Sequence, residues 1–204
     1  MSTCTLQAPG APTKVVRRAV VEFLYLDLTT CSRCLGTDAR LEAALALVKP
    51  VLEATGVSVD LRKILVESEQ QARALRFASS PTIRVDGRDI ALELVESTCG
   101  SCGELAGQET ACREWVYRGE RYTEAPVGMI VEALLGALFG PQALPERPYA
   151  DVPENLKQFF AARQRSASSD GLPCCSPAEQ DSCCAPSEKA ACCGDSEPGR
   201  CGCR

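Results

Sequence analysis

Apolar and polar positions follow two rhythms along this chain. An almost unbroken apolar run at residues 19–28, with Val20, Val21, Phe23, Leu24, Tyr25 and Leu26, predicts a central strand buried on both faces. From Cys34 the period lengthens: Leu41, Leu45, Val48 and Leu52 stand on one face of a helix that should end near Gly56. Val57, Val59 and Leu61 alternate with polar residues as a second strand, and a shorter helix follows over residues 67–77. Pro81 cannot continue that helix, and Thr82-Ile83-Arg84-Val85-Asp86-Gly87-Arg88 reads as a strand running into a tight turn, with Ile90, Leu92 and Leu94 alternating on a return strand. Val127, Ile130, Val131, Leu134, Leu135 and Leu138 resume helical spacing, opened by Pro126 and stopped by Gly140-Pro141. The order is β-α-β-α-β-β-α, an α/β fold.

An insertion, residues 96–125, separates the return strand from the last helix, and its Arg113-Glu114-Trp115-Val116-Tyr117-Arg118-Gly119-Glu120-Arg121-Tyr122 stretch predicts a hairpin centred near Gly119, with Trp115, Tyr117 and Tyr122 as packing residues. The domain so outlined covers residues 15–140, behind a flexible leader at 1–14. Residues 141–165 read as a linker with one short helix from Glu154 to Arg165. Residues 166–204, dominated by Ser, Pro, Gly, Asp, Glu and Cys, read as a disordered Cys-rich tail with no apolar core.

Composition changes this picture through sulfur: 14 cysteines accompany no histidine in 204 residues. Histidine bases and imidazole ligands are excluded, and a metal held by cysteine alone would be zinc or a softer species such as copper(I), mercury(II) or trivalent arsenic, not calcium or magnesium. The formal charge of −5 gives no reason to expect nucleic acid or an anionic membrane as partner. The leader holds no apolar signal core and no run reaches membrane-spanning length, so the expected location is the cytoplasm, where thiols serve catalysis or metal binding more than permanent disulfides.

The cysteines fall into three groups. Cys31-Ser32-Arg33-Cys34 follows the first strand and opens the first helix, where N–H groups and the helix dipole favour a thiolate. Cys31, expected to be the more exposed, is the candidate nucleophile and Cys34 the resolving thiol, with positive potential from Arg33 and Asp27 as a possible proton acceptor. Cys99-Gly100-Ser101-Cys102-Gly103 reads as a knuckle whose glycines permit positive φ, with Cys112 as a third sulfur and a fourth ligand open among Cys31, Cys34, an acidic side chain or none. A structural zinc knuckle, a second redox pair and a thiol trap for a soft metal or metalloid all fit that set. In the tail, Cys174-Cys175, Cys183-Cys184, Cys192-Cys193 and Cys201-Gly202-Cys203 begin nine residues apart, a pattern suited to capturing soft ions or left by repeat duplication. Cys4 in the leader reads as incidental.

Element order, the C-x-x-C at the first helix and Ser80-Pro81-Thr82 before the third strand together resemble the thioredoxin superfamily over residues 15–140. Thr29-Thr30 and Ser32-Arg33 stand where ordinary thioredoxins carry a Trp before the dithiol and Gly-Pro within it. The later C-G-x-C-G and Cys112-Arg113 make the chain more similar to a poorly characterised bacterial group of thioredoxin-like proteins. The superfamily resemblance implies a cis bond before Pro81 and a Ser80 backbone that faces the dithiol and aligns a substrate disulfide. The functional expectation is thiol–disulfide exchange, capture of thiophilic species as in mercury or arsenic detoxification, or both, with protein thiols and disulfides or soft metal ions as partners. The tail would be a tethered thiol reservoir at an effective concentration of about the millimolar range. No cofactor is required by these readings, though zinc or another thiophilic metal or metalloid could be bound. A non-catalytic metal-binding or chaperone module is the alternative, and carbon–metal bond cleavage by paired thiolates with Asp27 is a third reading.

Overall fold

The computed structural model describes residues 17–141 and 146–169, with side chains to 165 in the last helix. The leader, including Cys4, and the tail cysteines Cys174, Cys175, Cys183, Cys184, Cys192, Cys193, Cys201 and Cys203 lie outside the described residues. The site described below belongs to the compact unit that ends at Ala162.

Strand β1 (Arg17–Tyr25) lies inside a four-stranded sheet of order β2-β1-β3-β4. It runs parallel to β2 (Val57–Leu65) and antiparallel to β3 (Thr82–Val85), with Phe23 opposite Lys63 on one side and Ile83 on the other. Between β1 and β2 runs α1 (Ser32–Ala54), and between β2 and β3 runs α2 (Glu69–Ala74), so the predicted βαβ-α-ββα core is present. The return strand is shorter than the alternation of Ile90, Leu92 and Leu94 implies: β4 is only Arg88–Asp89, and Leu92 is exposed. The Ile90 N–H still donates to the Ile83 carbonyl at 3.0 Å, and the Ala91 N–H then turns to the Asp89 carboxylate instead of a strand partner. Asp86 and Gly87 both adopt positive φ, +50° and +78°, as a two-residue hairpin with the sheet's twist requires.

Alternation along β1 divides the interior in two. Ala19, Val21 and Phe23 face a core completed by Leu41, Ala44 and Val48 of α1, by Trp115, and by Ile130 and Leu134 of α4 (Val127–Phe139). Leu24 and Leu26 enter a second cluster with Ala72, Phe77 and the cysteines. The first strand is thus fully buried on both sides only toward its C-terminal end, which delivers the chain to Cys31.

The insertion forms its own three-stranded antiparallel sheet, β5 (Val95–Thr98), β6 (Ala111–Tyr117) and β7 (Glu120–Tyr122), in the order β5-β6-β7. The hairpin turn falls on Arg118-Gly119, with φ +53° and +83°, as predicted, and Trp115 is packing in the core. A short helix that the sequence reading lacks, α3 (Gly100–Ala106), stands between β5 and β6.

The segment read as linker and short helix is part of the core. Val152 and, from α5 (Glu154–Ser169), Leu156, Phe159, Phe160 and Ala162 pack in the cluster that holds the cysteines. The 152, 156, 159, 160 spacing is an apolar helical stripe, which needs a surface to cover. No helix among the described residues is long and apolar enough to cross a membrane.

Candidate metal centre

The two C-x-x-C motifs make the same local structure. Cys31 is the N-cap of α1 and Cys99 the N-cap of α3, both with extended backbone and neither using its side chain to cap the helix, which leaves each sulfur free to face outward from the helix end. Their carbonyls accept the first helical bonds, Leu35 N–H to Cys31 and Gly103 N–H to Cys99, each at 2.9 Å. Gly100 and Gly103 lie in α3 and are absent from the positive-φ glycines, correcting the knuckle expectation. The small residue at 103 serves close approach instead, since a Cβ there would meet the Gln108 carbonyl at 3.2 Å.

Cys31, Cys99, Cys102 and Cys112 bring their sulfurs within 4.8 Å of one another. Cys102 Sγ lies 3.5 Å from Cys31 Sγ. A tetrahedral ion with sulfur bonds near 2.3 Å needs sulfur separations of about 3.8 Å, so a slight contraction gives a mononuclear site. All four are buried, none more than 3% exposed. The fourth sulfur beside Cys99, Cys102 and Cys112, left open between the motifs, is that of Cys31. Cys34 stands outside the set, fully buried, with its sulfur 3.3 Å from Ser80 Oγ.

The exposure expected of Cys31 is not found. Its side chain is 0% exposed, in a cluster closed by the insertion and by Leu156, Phe159 and Phe160. The Ser80–Pro81 bond is cis, as the resemblance implies, but the Ser80 carbonyl already accepts from the Arg113 N–H at 2.8 Å. Strand β6 of the same chain thus occupies the backbone that was expected to align a substrate, and in doing so brings in Cys112.

Asp27 does structural work. Its carboxylate accepts from the N–H and hydroxyl of Thr29, the N–H and hydroxyl of Thr30, and the Cys31 N–H, all within 3.0 Å. Burial raises its pKa, but these donors outweigh burial and hold it down to about 2. A carboxylate so saturated and acidic caps the turn into α1 instead of accepting protons near neutrality.

The positioning residues that sequence reading missed are polar and lie far apart along the chain. Arg33 does more than add local positive charge. Its guanidinium donates to the carbonyls of Cys112 at 3.0 Å and Thr98 at 2.8 Å and to Ser97 Oγ at 3.0 Å, clamping both flanks of the insertion to α1. Arg113, wholly buried, donates to Thr82 Oγ1, Asp89 Oδ2 and the Ala91 carbonyl and stacks 4.7 Å from the Trp115 ring centre. Asn155 of α5 pairs with both the N–H and carbonyl of Ala111, beside Cys112. A charged or amide side chain on a helix or strand gives no one-dimensional hint of such a partner.

Proton sharing follows from the crowding. Hydrogen bonds, first from Cys102 and then Cys112, Cys34 and Cys99, hold the Cys31 thiol far below its ordinary range, and Cys102 and Cys112 bring Cys99 down to about 6. Cys112 is pushed up by Cys102, Cys31, Cys99 and burial. In Cys102 the contact with Cys112 acts downward but is outweighed by Cys31, Cys99 and burial. Cys34 is pushed up, first by Cys31 and then by burial. The crowding thus favours the thiolate at Cys31 and Cys99 and the thiol at Cys102 and Cys112, and a buried dication would relieve the repulsion and draw off the remaining protons. The buried cluster could hold a metal ion.

Residues 19–134, from β1 into α4, match the family described as a domain of unknown function, DUF2703. The chain belongs to that family. The matched span contains all five described cysteines. No curated protein and no solved structure matches the chain.

Proposed function

We propose that this protein is a cysteine-based metal-binding domain that holds one thiophilic ion on Cys31, Cys99, Cys102 and Cys112, with zinc as the first candidate and cadmium, mercury or trivalent arsenic as softer competitors. The observation that carries this reading is the convergence of four buried sulfurs within 4.8 Å. Four sulfur ligands with no place for water give a closed centre, which holds and releases an ion instead of activating a substrate. The test is native mass spectrometry and elemental analysis of protein purified without added metal, in the native chain and in Cys102→Ser. One ion per chain, lost in the variant, is expected; a native chain that takes up no zinc, cadmium or mercury on titration overturns the reading.

A second reading is favoured by Cys34, a fifth buried thiol next in line to Cys31. Oxidation by a small peroxide would join Cys31 and Cys34: the Cys31 thiolate and the Cys34 thiol give up two electrons and one proton, and these with one proton from solvent turn hydrogen peroxide into two waters. That bond removes one of the four ligands and lets the ion go. The thioredoxin-like element order supports such a dithiol function. The tail cysteines, as a tethered reservoir, would receive an ion passed from the core. A chain ending at Ser166 that binds mercury or arsenite in the same amount as the full chain would remove the tail from this scheme.

A further inference from the structure

Away from the sulfurs, the α2 C-terminus, the β3–β4 turn and the segment leading to α5 enclose a small cavity of about 70 Å³, lined by Arg76, Arg84, Gly87, Arg88, Arg147 and Tyr149 among others. Four arginines and two carboxylate residues, Asp89 and Glu146, line it, and both carboxylates are already engaged. Asp89 accepts from the buried Arg113 at 2.8 Å and from the Ala91 N–H at 3.0 Å, and Glu146 pairs with Arg76. Arg84 forms no ion pair among the described residues and spends its donors on the neutral carbonyls of Leu75 and Arg76, at 2.7 and 2.9 Å. Arg147, half-buried, has its Nη1 buried with no hydrogen-bond partner.

We propose that this arginine-lined cavity binds a single tetrahedral oxyanion, as free phosphate or sulfate or as the phosphoryl group of a larger ligand. Guanidinium forks match oxyanion geometry, and an anion would give the orphaned Arg147 Nη1 the acceptor it lacks. A cavity this size admits one such group or a few waters. Crowded positive charge agrees with this: burial first, with Arg113 adding to it, holds both Arg84 and Arg147 below the ordinary guanidinium range, while Asp89 acts the other way on both, joined by Glu22 at Arg84 and by Glu96 at Arg147. The site is independent of the metal reading.

The test uses the full chain at constant ionic strength, exchanging chloride for inorganic phosphate, sulfate or glycerol 3-phosphate and recording thermal unfolding. A saturable rise in Tm of about 3 °C is expected once the anion exceeds its dissociation constant roughly tenfold. Arg147→Gln should abolish the rise while the variant still folds, as judged by its circular dichroism. Sulfate and phosphate stabilise proteins nonspecifically as well, so the comparison between native and variant decides. A response to the ester as well as the ions identifies a phosphoryl group as ligand, and a response to the ions alone identifies free oxyanion. An equal rise in native protein and Arg147→Gln, or none in either, overturns the proposal.

Discussion

The backbone N–H of Arg113 donates to the carbonyl of Ser80 at 2.8 Å, joining strand β6 of the insertion to the loop that contains Pro81. One residue before Arg113 stands Cys112, so the bond that fixes β6 also fixes a sulfur beside Cys31. The proposed metal site is built by docking the insertion onto the core, and its predictions concern what holds the two together.

Arg33 is the principal clamp. With Arg33→Ala the carbonyls of Cys112 and Thr98 lose a buried charged donor, and the expected cost is about 3 kcal/mol of stability. Metal affinity should fall with it, while Arg33→Lys restores only part because one ammonium cannot span both strands. Denaturant unfolding and competition with a zinc chelator measure the two effects.

Asp27 makes stability depend on acid. Its folded pKa is depressed from 3.8 to about 2, so its contribution is fully present above pH 4 and is lost as pH falls through the window from 4 to 2. Asp27→Asn should cost roughly 2 kcal/mol at pH 7 and flatten the dependence across that window. Urea titrations at pH 2, 3, 4 and 7 give the comparison.

Metal binding should release protons. Cys31 and Cys99 are drawn toward the thiolate, while Cys102 and Cys112 are pushed toward the thiol. Loading zinc is expected to liberate about two protons per ion, and affinity should fall further as pH drops below 6 and Cys99 protonates. Calorimetric titration in buffers of different ionisation enthalpy counts them.

Cys34 separates holding from release. Cys34→Ser should keep one ion per chain, since its sulfur bonds Ser80 Oγ and lies outside the four-sulfur set. The same variant should slow peroxide-driven zinc release at least tenfold if the Cys31–Cys34 disulfide is the trigger. A zinc-sensitive dye follows release directly.

Phe159 closes the cluster. Phe159→Ala, at a side chain 1% exposed, should cost about 3 to 4 kcal/mol and admit water toward the sulfurs. Exchange of bound zinc for cadmium should quicken more than equilibrium affinity weakens. Stopped-flow exchange against elemental stoichiometry distinguishes the two.

Local chemistry made much of this protein readable. The apolar run that ends in Leu24 and Leu26, the period of Leu41, Val48 and Leu52, and the Arg118-Gly119 turn follow from short-range rules of burial, helical pitch and backbone conformation, which act within a few residues. The same rules put both C-x-x-C motifs in view as sulfur pairs. They could not say which sulfurs meet. Cys31 lies 71 positions from Cys102 and leaves Cys34, its neighbour in the motif, to Ser80. That choice depends on Arg33 reaching the insertion, on Arg113 reaching Ser80, and on α5 covering the result. Each is a contact between groups distant along the chain, whose energy exists only once the layers have packed, so the sequence carries the sulfurs and the tertiary structure chooses which of them meet.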